Sequence, residues 1–150
     1  MNWNRIIICF FVCWMVSVAL SCTSSQPEDT LYDELGGLDT LELVTDTWID
    51  SLKTDPMVSG YFTPLFADSI ATLNFRNHLI DQFCALSGGP CVYKGRTMRN
   101  THAGMNIQAE EFDAAIQDLR NALGVWSISD DVSTRFLSRI LFLQPEIVGQ

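Results

Sequence analysis

Basic residues are scarce in this chain: Lys and Arg together number 9 against 18 Asp and Glu, for a formal net charge of −9 over 150 residues. An acidic surface repels phosphate backbones, which argues against nucleic acid as a partner. Histidine is scarcer still, with His78 and His102 the 2 present. The chain has no Cys-x-x-Cys and no His-x-x-x-His, so it carries no zinc-site spacing. It also lacks strand-length alternation and any internal repeat, which removes sandwiches, barrels and solenoids from consideration. No apolar run is long. The uncharged stretch from Ile6 to Leu20 falls short of the roughly 20 residues that span a bilayer comfortably.

What is present at the N-terminus reads as an export signal. Arg5 supplies one positive charge, the Ile6–Leu20 run has the size of a signal h-region, and small residues close it. The end of the run, Val18-Ala19-Leu20-Ser21-Cys22, resembles the lipobox of bacterial lipoproteins, although Leu stands at the second position before the cysteine rather than the third. The resemblance implies residues 1–21 as a signal peptide, Cys22 as the lipidated new N-terminus and polar residues 22–29 as a tether. An ordinary cleaved signal and an uncleaved N-terminal anchor are the alternatives. All three put the domain outside the cytoplasm, and a lipid would hold it to a bacterial membrane on the periplasmic or cell-surface side. Removing residues 1–21, which contain Arg5 and no acid, takes the charge from −9 to −10. Residues 30–148 remain as one domain, long enough to bury a single core. Of the 5 cysteines, only Cys84 and Cys91 fall in that domain. They can pair in an oxidising compartment, or Cys84 can be a buried thiol.

The domain reads as all-α. A short helix from about Thr30 ends before Gly36-Gly37, which supply a stop and a turn. Asp39 and Glu42 have capping-box spacing, and behind them Leu41, Val44, Thr45, Trp48, Ile49 and Leu52 form a helical stripe that stops at Pro56. Tyr61-Phe62-Thr63-Pro64-Leu65-Phe66, aromatic and interrupted by proline, reads as a corner. A second long helix spans about Asp68 to Leu86 and ends at Gly88-Gly89-Pro90. On it Phe75, His78, Leu79, Phe83 and Leu86 share roughly one side. A loop, Cys91 to Arg96, leads to a short turn with Met98, Arg99 and His102. Phe112, Ala115, Ile116, Leu119 and Leu123 mark another helix, with Glu110-Glu111 suited to its first turn. Val132, Phe136, Ile140 and Leu143 mark the last, limited by Pro145. The expected architecture is four main helices with short pieces.

A neutral imidazole is a good iron ligand, and haem proteins commonly use one His axially. His102 follows a loop and a short helical piece able to present it to a cofactor. His78 lies among Phe75, Leu79 and Phe83, where its ring faces either an apolar space fit for a flat prosthetic group or an ordinary hydrogen-bond partner. Taken residue by residue, isolated histidines are more often structural or exposed, and helical cores often use phenylalanine.

The ordered set Leu31-Tyr32-Asp33-Glu34-Leu35-Gly36-Gly37, Asp55-Pro56, Tyr61-Phe62, Gly88-Gly89-Pro90, Tyr93-Lys94-Gly95-Arg96 and Met98-Arg99-Asn100-Thr101-His102-Ala103-Gly104 resembles the group I truncated haemoglobins, short globins with a two-over-two helical sandwich. The resemblance runs from about residue 31 to 147. It implies a haem b cofactor with His102 as proximal ligand, its other ring nitrogen donating to a backbone carbonyl. It implies Phe62 as the aromatic that stacks on the haem. Met98, Ile107, Phe112, Phe136 and Ile140 would line the pocket, with Phe75, Leu79 and Phe83 from the long helix. Tyr93, Lys94, Arg96 or Arg99 would serve the haem propionates.

The departures bear on function. Counting back from Asp55-Pro56 puts Ile49, beside Trp48, where many family members carry a Tyr that hydrogen-bonds bound oxygen. Counting back from Gly88-Gly89 puts Phe75 and Leu79 where Gln is frequent. A hydrogen bond to a partly anionic bound oxygen is worth about 1.5–3 kcal/mol, so its loss predicts faster oxygen release and easier iron oxidation. The same count puts His78 where some family members ligate iron from the distal side. The resemblance therefore implies a globin that reversibly binds oxygen or another diatomic gas. Nitric oxide dioxygenase activity would need a reductase and is disfavoured by the missing donors. The alternatives are a bis-histidine haem protein for electron transfer or redox sensing, and a haem-free helical lipoprotein that binds partners.

Overall fold

The structure, a computed structural model, describes residues 29–150. The expected signal peptide, Cys22 and the tether as far as residue 28 lie outside the described residues. Within them there are seven α-helices and no strand, the all-α class that the missing alternation predicts.

Helix α1 (Leu31–Glu34) opens on a reciprocal cap: the Thr30 hydroxyl accepts from the Asp33 N–H, and the Asp33 carboxylate accepts from the Thr30 N–H at 3.0 Å. The chain then reverses through Gly36 and Gly37, at φ 88° and 71°. At Gly36 a side chain would meet a second obstacle besides the left-handed backbone, because its Cβ would stand 2.4 Å from Thr40 Oγ1.

Helix α2 (Gly37–Thr54) begins at the second glycine, two residues before the expected Asp39 start. Asp39 and Glu42 therefore lie inside the helix and form no cap; the capping box sits one helix earlier, at Thr30 and Asp33. Helix α3 (Ser59–Phe66) replaces the expected corner. Pro64 lacks the N–H that would pair with the Gly60 carbonyl, but it falls in the last turn, where one lost bond ends the helix rather than preventing it. Helix α4 (Ser69–Ser87) starts as Asp68 predicts, its carboxylate accepting from the Ile70 and Ala71 N–H groups, and stops at Gly88 in the left-handed conformation.

The short α5 (Met98–His102) is capped by Thr97, whose hydroxyl accepts from the Asn100 N–H. Helix α6 (Ala109–Val125) follows a second box, in which Glu111 accepts from the Gln108 N–H at 2.8 Å. Helix α7 (Asp130–Leu141), capped by Ser129, leads into a 3₁₀ turn at Gln144–Glu146.

Helix α2 packs against both α4 and α6, α4 also meets α7, and α6 meets α7. The α2/α4 pair thus lies over the α6/α7 pair, a two-over-two sandwich. Its centre is largely apolar: Leu35, Leu41, Leu119, Leu123 and Phe136 are fully buried, and Phe83 meets Phe136 edge-on at 5.3 Å. Arg76 of α4 reaches Asp46 and Glu42 of α2 at the rim. Cys84 and Cys91 are joined in a disulfide with Cα atoms 5.7 Å apart. It pins the end of α4 to the loop that leads to α5. Gly89 lies against this bridge, and a Cβ there would stand 2.8 Å from Cys84 Sγ and 2.5 Å from the Tyr32 ring. No helix among the described residues is long and apolar enough to cross a membrane.

Candidate functional site

The two layers do not close completely. A cavity of about 310 Å³ opens between α3, α4 and α5 on one side and α6 and α7 on the other. Its wall is largely apolar. From α3 come Phe62 and Leu65, and from α4 Phe75, Leu79, Phe83 and Leu86. Met98 and His102 of α5 face it, as do Ile107, Phe112 and Ile116, with Ile140 of α7.

His102 is held by its own helix. Its Nδ1 lies 2.8 Å from the Met98 carbonyl one turn back. Since a carbonyl can only accept, this contact assigns the proton to Nδ1 and leaves Nε2 with its lone pair. Two further bonds fasten the segment after α5: Asn106 N–H donates to the Gln150 carbonyl, and Gly149 N–H to the Ile107 carbonyl, at 2.8 and 2.9 Å. The chain terminus thereby braces the turn that follows the histidine.

Nine residues expected at the site border the cavity: Phe62, Phe75, Leu79, Phe83, Met98, His102, Ile107, Phe112 and Ile140. Four others lie outside it. Phe136 is wholly buried behind Phe83. Tyr93 donates its hydroxyl to the Arg96 carbonyl at 2.9 Å. Arg99 turns to the Gln150 side chain. His78 is exposed, its ring edge-on to Tyr93 with centroids 6.2 Å apart. Of the cations considered beside Tyr93, Arg96 reaches the cavity, whereas Lys94 is exposed and does not. Ile49 is buried away from the cavity, and its neighbour Trp48 faces it instead, with Nε1–H donated to the Ala115 carbonyl at 2.9 Å.

Several lining residues escaped sequence reasoning. Gln82 faces the cavity and its amide meets only the Met98 thioether, at 3.2 Å. It extends the Leu79, Phe83 and Leu86 stripe by the spacing i, i+3, i+4, i+7 and is hidden only by being polar. Tyr61 donates to Glu111 Oε2 at 2.6 Å, and both border the cavity. The carboxylate raises the Tyr61 phenol above its ordinary pKa, with desolvation adding to the effect. Glu111 is held below the usual carboxylate range by the Gln108 N–H first and the Tyr61 hydroxyl second. Its capping spacing was visible in the sequence; its tyrosine partner, 50 residues away, was not.

The chain matches the bacterial-like globin family over residues 30–148. This chain is a truncated globin. It is 33% identical over 121 residues to a group 1 truncated hemoglobin of Nostoc sp. (strain MUN 8820), covering 81% of this chain and 98% of that protein. A group 1 truncated hemoglobin of Tetrahymena pyriformis is 27% identical over 121 residues, covering 81% and 96%. The crystal structure of truncated hemoglobin from Tetrahymena pyriformis in its Fe(III) form superposes with a TM-score of 0.74 at 26% identity, covering 81% of this chain and all of that one. Globins of this family bind haem, and the cavity of this globin has the chemistry for it. It offers one imidazole with Nδ1 committed, an apolar wall for the macrocycle and one cationic side chain, Arg96, on its lining.

Proposed function

We propose that this globin holds haem b through His102 and reversibly binds oxygen or another diatomic gas. The observation that carries the reading is the His102 imidazole in the cavity wall with Nδ1 fixed by the Met98 carbonyl, which leaves Nε2 as the ligating atom. Haem would supply the iron that takes up the gas. The chain's residues would bind and orient the cofactor and keep water from it. Phe62 and Phe75 pack beside one another at 5.7 Å and offer aromatic faces to the macrocycle. Arg96 makes no ion pair among the described residues and is free to pair with a haem propionate, with Tyr93 and Arg99 beyond it.

The wall contributed by α2 and α4 offers little to a bound gas. The Trp48 N–H is already donated to a carbonyl, Phe75 and Leu79 have no donor, and the one amide of that wall, Gln82, is turned to the Met98 thioether. This supports weak retention of oxygen and ready oxidation of the iron, which an external reductase would have to reverse. His78 can serve as a sixth ligand only if its ring leaves Tyr93 and turns inward. A bis-histidine redox role depends on that movement.

The Cys84–Cys91 disulfide favours an oxidising compartment, in keeping with export and a lipid on Cys22. Palmitate labelling of the full chain and of Cys22→Ser tests the tether: label lost in the variant supports it, and unchanged label contradicts it. The haem reading is tested by absorption spectra of the protein with haem, ferric and then dithionite-reduced, with and without carbon monoxide. A Soret band that shifts with carbon monoxide is expected. No Soret band after haem addition would leave the haem-free helical protein.

A further inference from the structure

The proposed haem site carries a feature that gas binding does not use: a phenol in the cavity wall, hydrogen-bonded to a carboxylate. Tyr61 and Glu111 both border the cavity and both are half-buried, so the pair stands between the interior and solvent. Their 2.6 Å contact is the arrangement that lets a phenol lose an electron and its proton together, because oxidation acidifies the hydroxyl and the proton has a base in reach.

Among the described residues the other tyrosines and tryptophans lack one requirement or the other, and Trp126 does not border the cavity. Of the 3 tyrosines, Tyr32 and Tyr93 do not border the cavity, and the Tyr93 hydroxyl donates to the Arg96 carbonyl, which cannot hold a proton. Trp48 borders the cavity, but its N–H also faces a carbonyl, that of Ala115. Glu111 is kept ionised by the bonds it accepts from the Gln108 N–H and from Tyr61 itself, so it is a base at neutral pH.

We propose that Tyr61 and Glu111 form a proton-coupled electron relay that lets this globin reduce hydroperoxides at the expense of small phenolic reductants. The proposal rests on the haem reading. In each half-cycle Tyr61 would give up one electron toward the bound haem, which would supply the oxidising power drawn from the hydroperoxide, and its proton would pass to Glu111. The phenoxyl radical then takes a hydrogen atom from a phenol at the surface, restoring the Tyr61 hydroxyl. Glu111 returns its proton to the oxygen being reduced. Two half-cycles convert one hydroperoxide and two phenols into one alcohol, one water and two phenoxyl radicals, so atoms and electrons balance.

The test uses the full chain loaded with haem, mixed with cumene hydroperoxide and freeze-quenched for electron paramagnetic resonance. The expected result is an organic radical whose spectrum narrows when the protein is made with ring-deuterated tyrosine. Tyr61→Phe should lower its yield about tenfold or more, and Glu111→Gln, which keeps a hydrogen-bond acceptor but no base, should slow its formation by a similar factor. Guaiacol oxidation should fall in parallel, and Tyr32→Phe, at a tyrosine that does not border the cavity, should retain the radical. A radical of full yield in Tyr61→Phe, or one lost in Tyr32→Phe instead, would overturn the proposal. Glu111→Gln with radical formation as fast as the parent would overturn the role of the base. Failure of the haem reading is seen separately, as a missing Soret band before any peroxide is added.

Discussion

The two histidines sit on very different helices. His78 lies on α4, at 19 residues the longest helix among the described residues, and faces solvent beside Tyr93; His102 lies on α5, with only 5, and faces the cavity. A long, well-capped helix fixes a backbone but leaves each side chain wherever its 100° step falls. On α4 the cavity stripe runs through Phe75, Leu79, Gln82 and Leu86. His78 is turned about 60° from Phe75, on the flank away from Phe83. A 5-residue helix has little stability of its own, so its histidine is aimed by particular bonds: the Thr97 cap, the Nδ1 contact to the Met98 carbonyl, and the ties from Asn106 and Gly149 to the opposite strand of chain. Local anchoring, not helix length, decides which imidazole meets the cavity.

Substitutions can break or sharpen this contrast. The largest effect belongs to His102→Ala, which should abolish stable haem binding, read as loss of the Soret band after gel filtration, whereas His78→Ala should keep it. Phe136→Ala leaves a hole behind Phe83 at the meeting of α4 and α7 and should cost about 3–5 kcal/mol in urea unfolding.

Next comes Cys91→Ser. Opening a bridge with a sequence separation of 7 should cost about 2–3 kcal/mol by the chain-entropy account. It should also hasten trypsin cleavage at Lys94 and Arg96, because the α4–α5 connection loses its clasp. No change in either reading would remove the bridge from the account of how α5 is positioned.

The smallest effect concerns Asp118. Its Oδ2 is buried without a partner, and desolvation first and Asp55 second push its carboxyl up. A carboxyl whose folded pKa is raised opposes folding once ionised, and the penalty fades as pH falls through the folded value. Asp118→Asn should therefore raise Tm at pH 7 by an amount worth less than about 1 kcal/mol once solvent screening is allowed for. That gain should shrink in acid. Glu111 has the opposite sign. Its depressed pKa contributes stability above the ordinary carboxylate range, lost as pH falls through the lowered value.

Much of this was legible in the sequence for physical reasons. Apolar periodicity marks α2, α6 and α7, and Asp68 and Gly88 mark the ends of α4, because caps and left-handed glycines are local chemistry. The Pro64 helix was not legible, since proline ends a helix or breaks it according to its position in the last turn or the middle, and only the backbone decides which. The apolar part of the site was readable from stripes and resemblance. Its polar part was not: Tyr61 finds Glu111, and Trp48 finds Ala115, through tertiary contacts that no local pattern encodes. The flank position of His78 needed the axis of α4 relative to α5.

The central claim, that His102 holds the haem, is tested most directly by replacing it with glycine and restoring the ligand from solution. His102→Gly should bind haem poorly and regain a five-coordinate ferrous spectrum when imidazole is added, since the small ring fills the space that the side chain vacates. A variant that binds haem with the parent spectrum and ignores imidazole would contradict the account and place the ligand elsewhere.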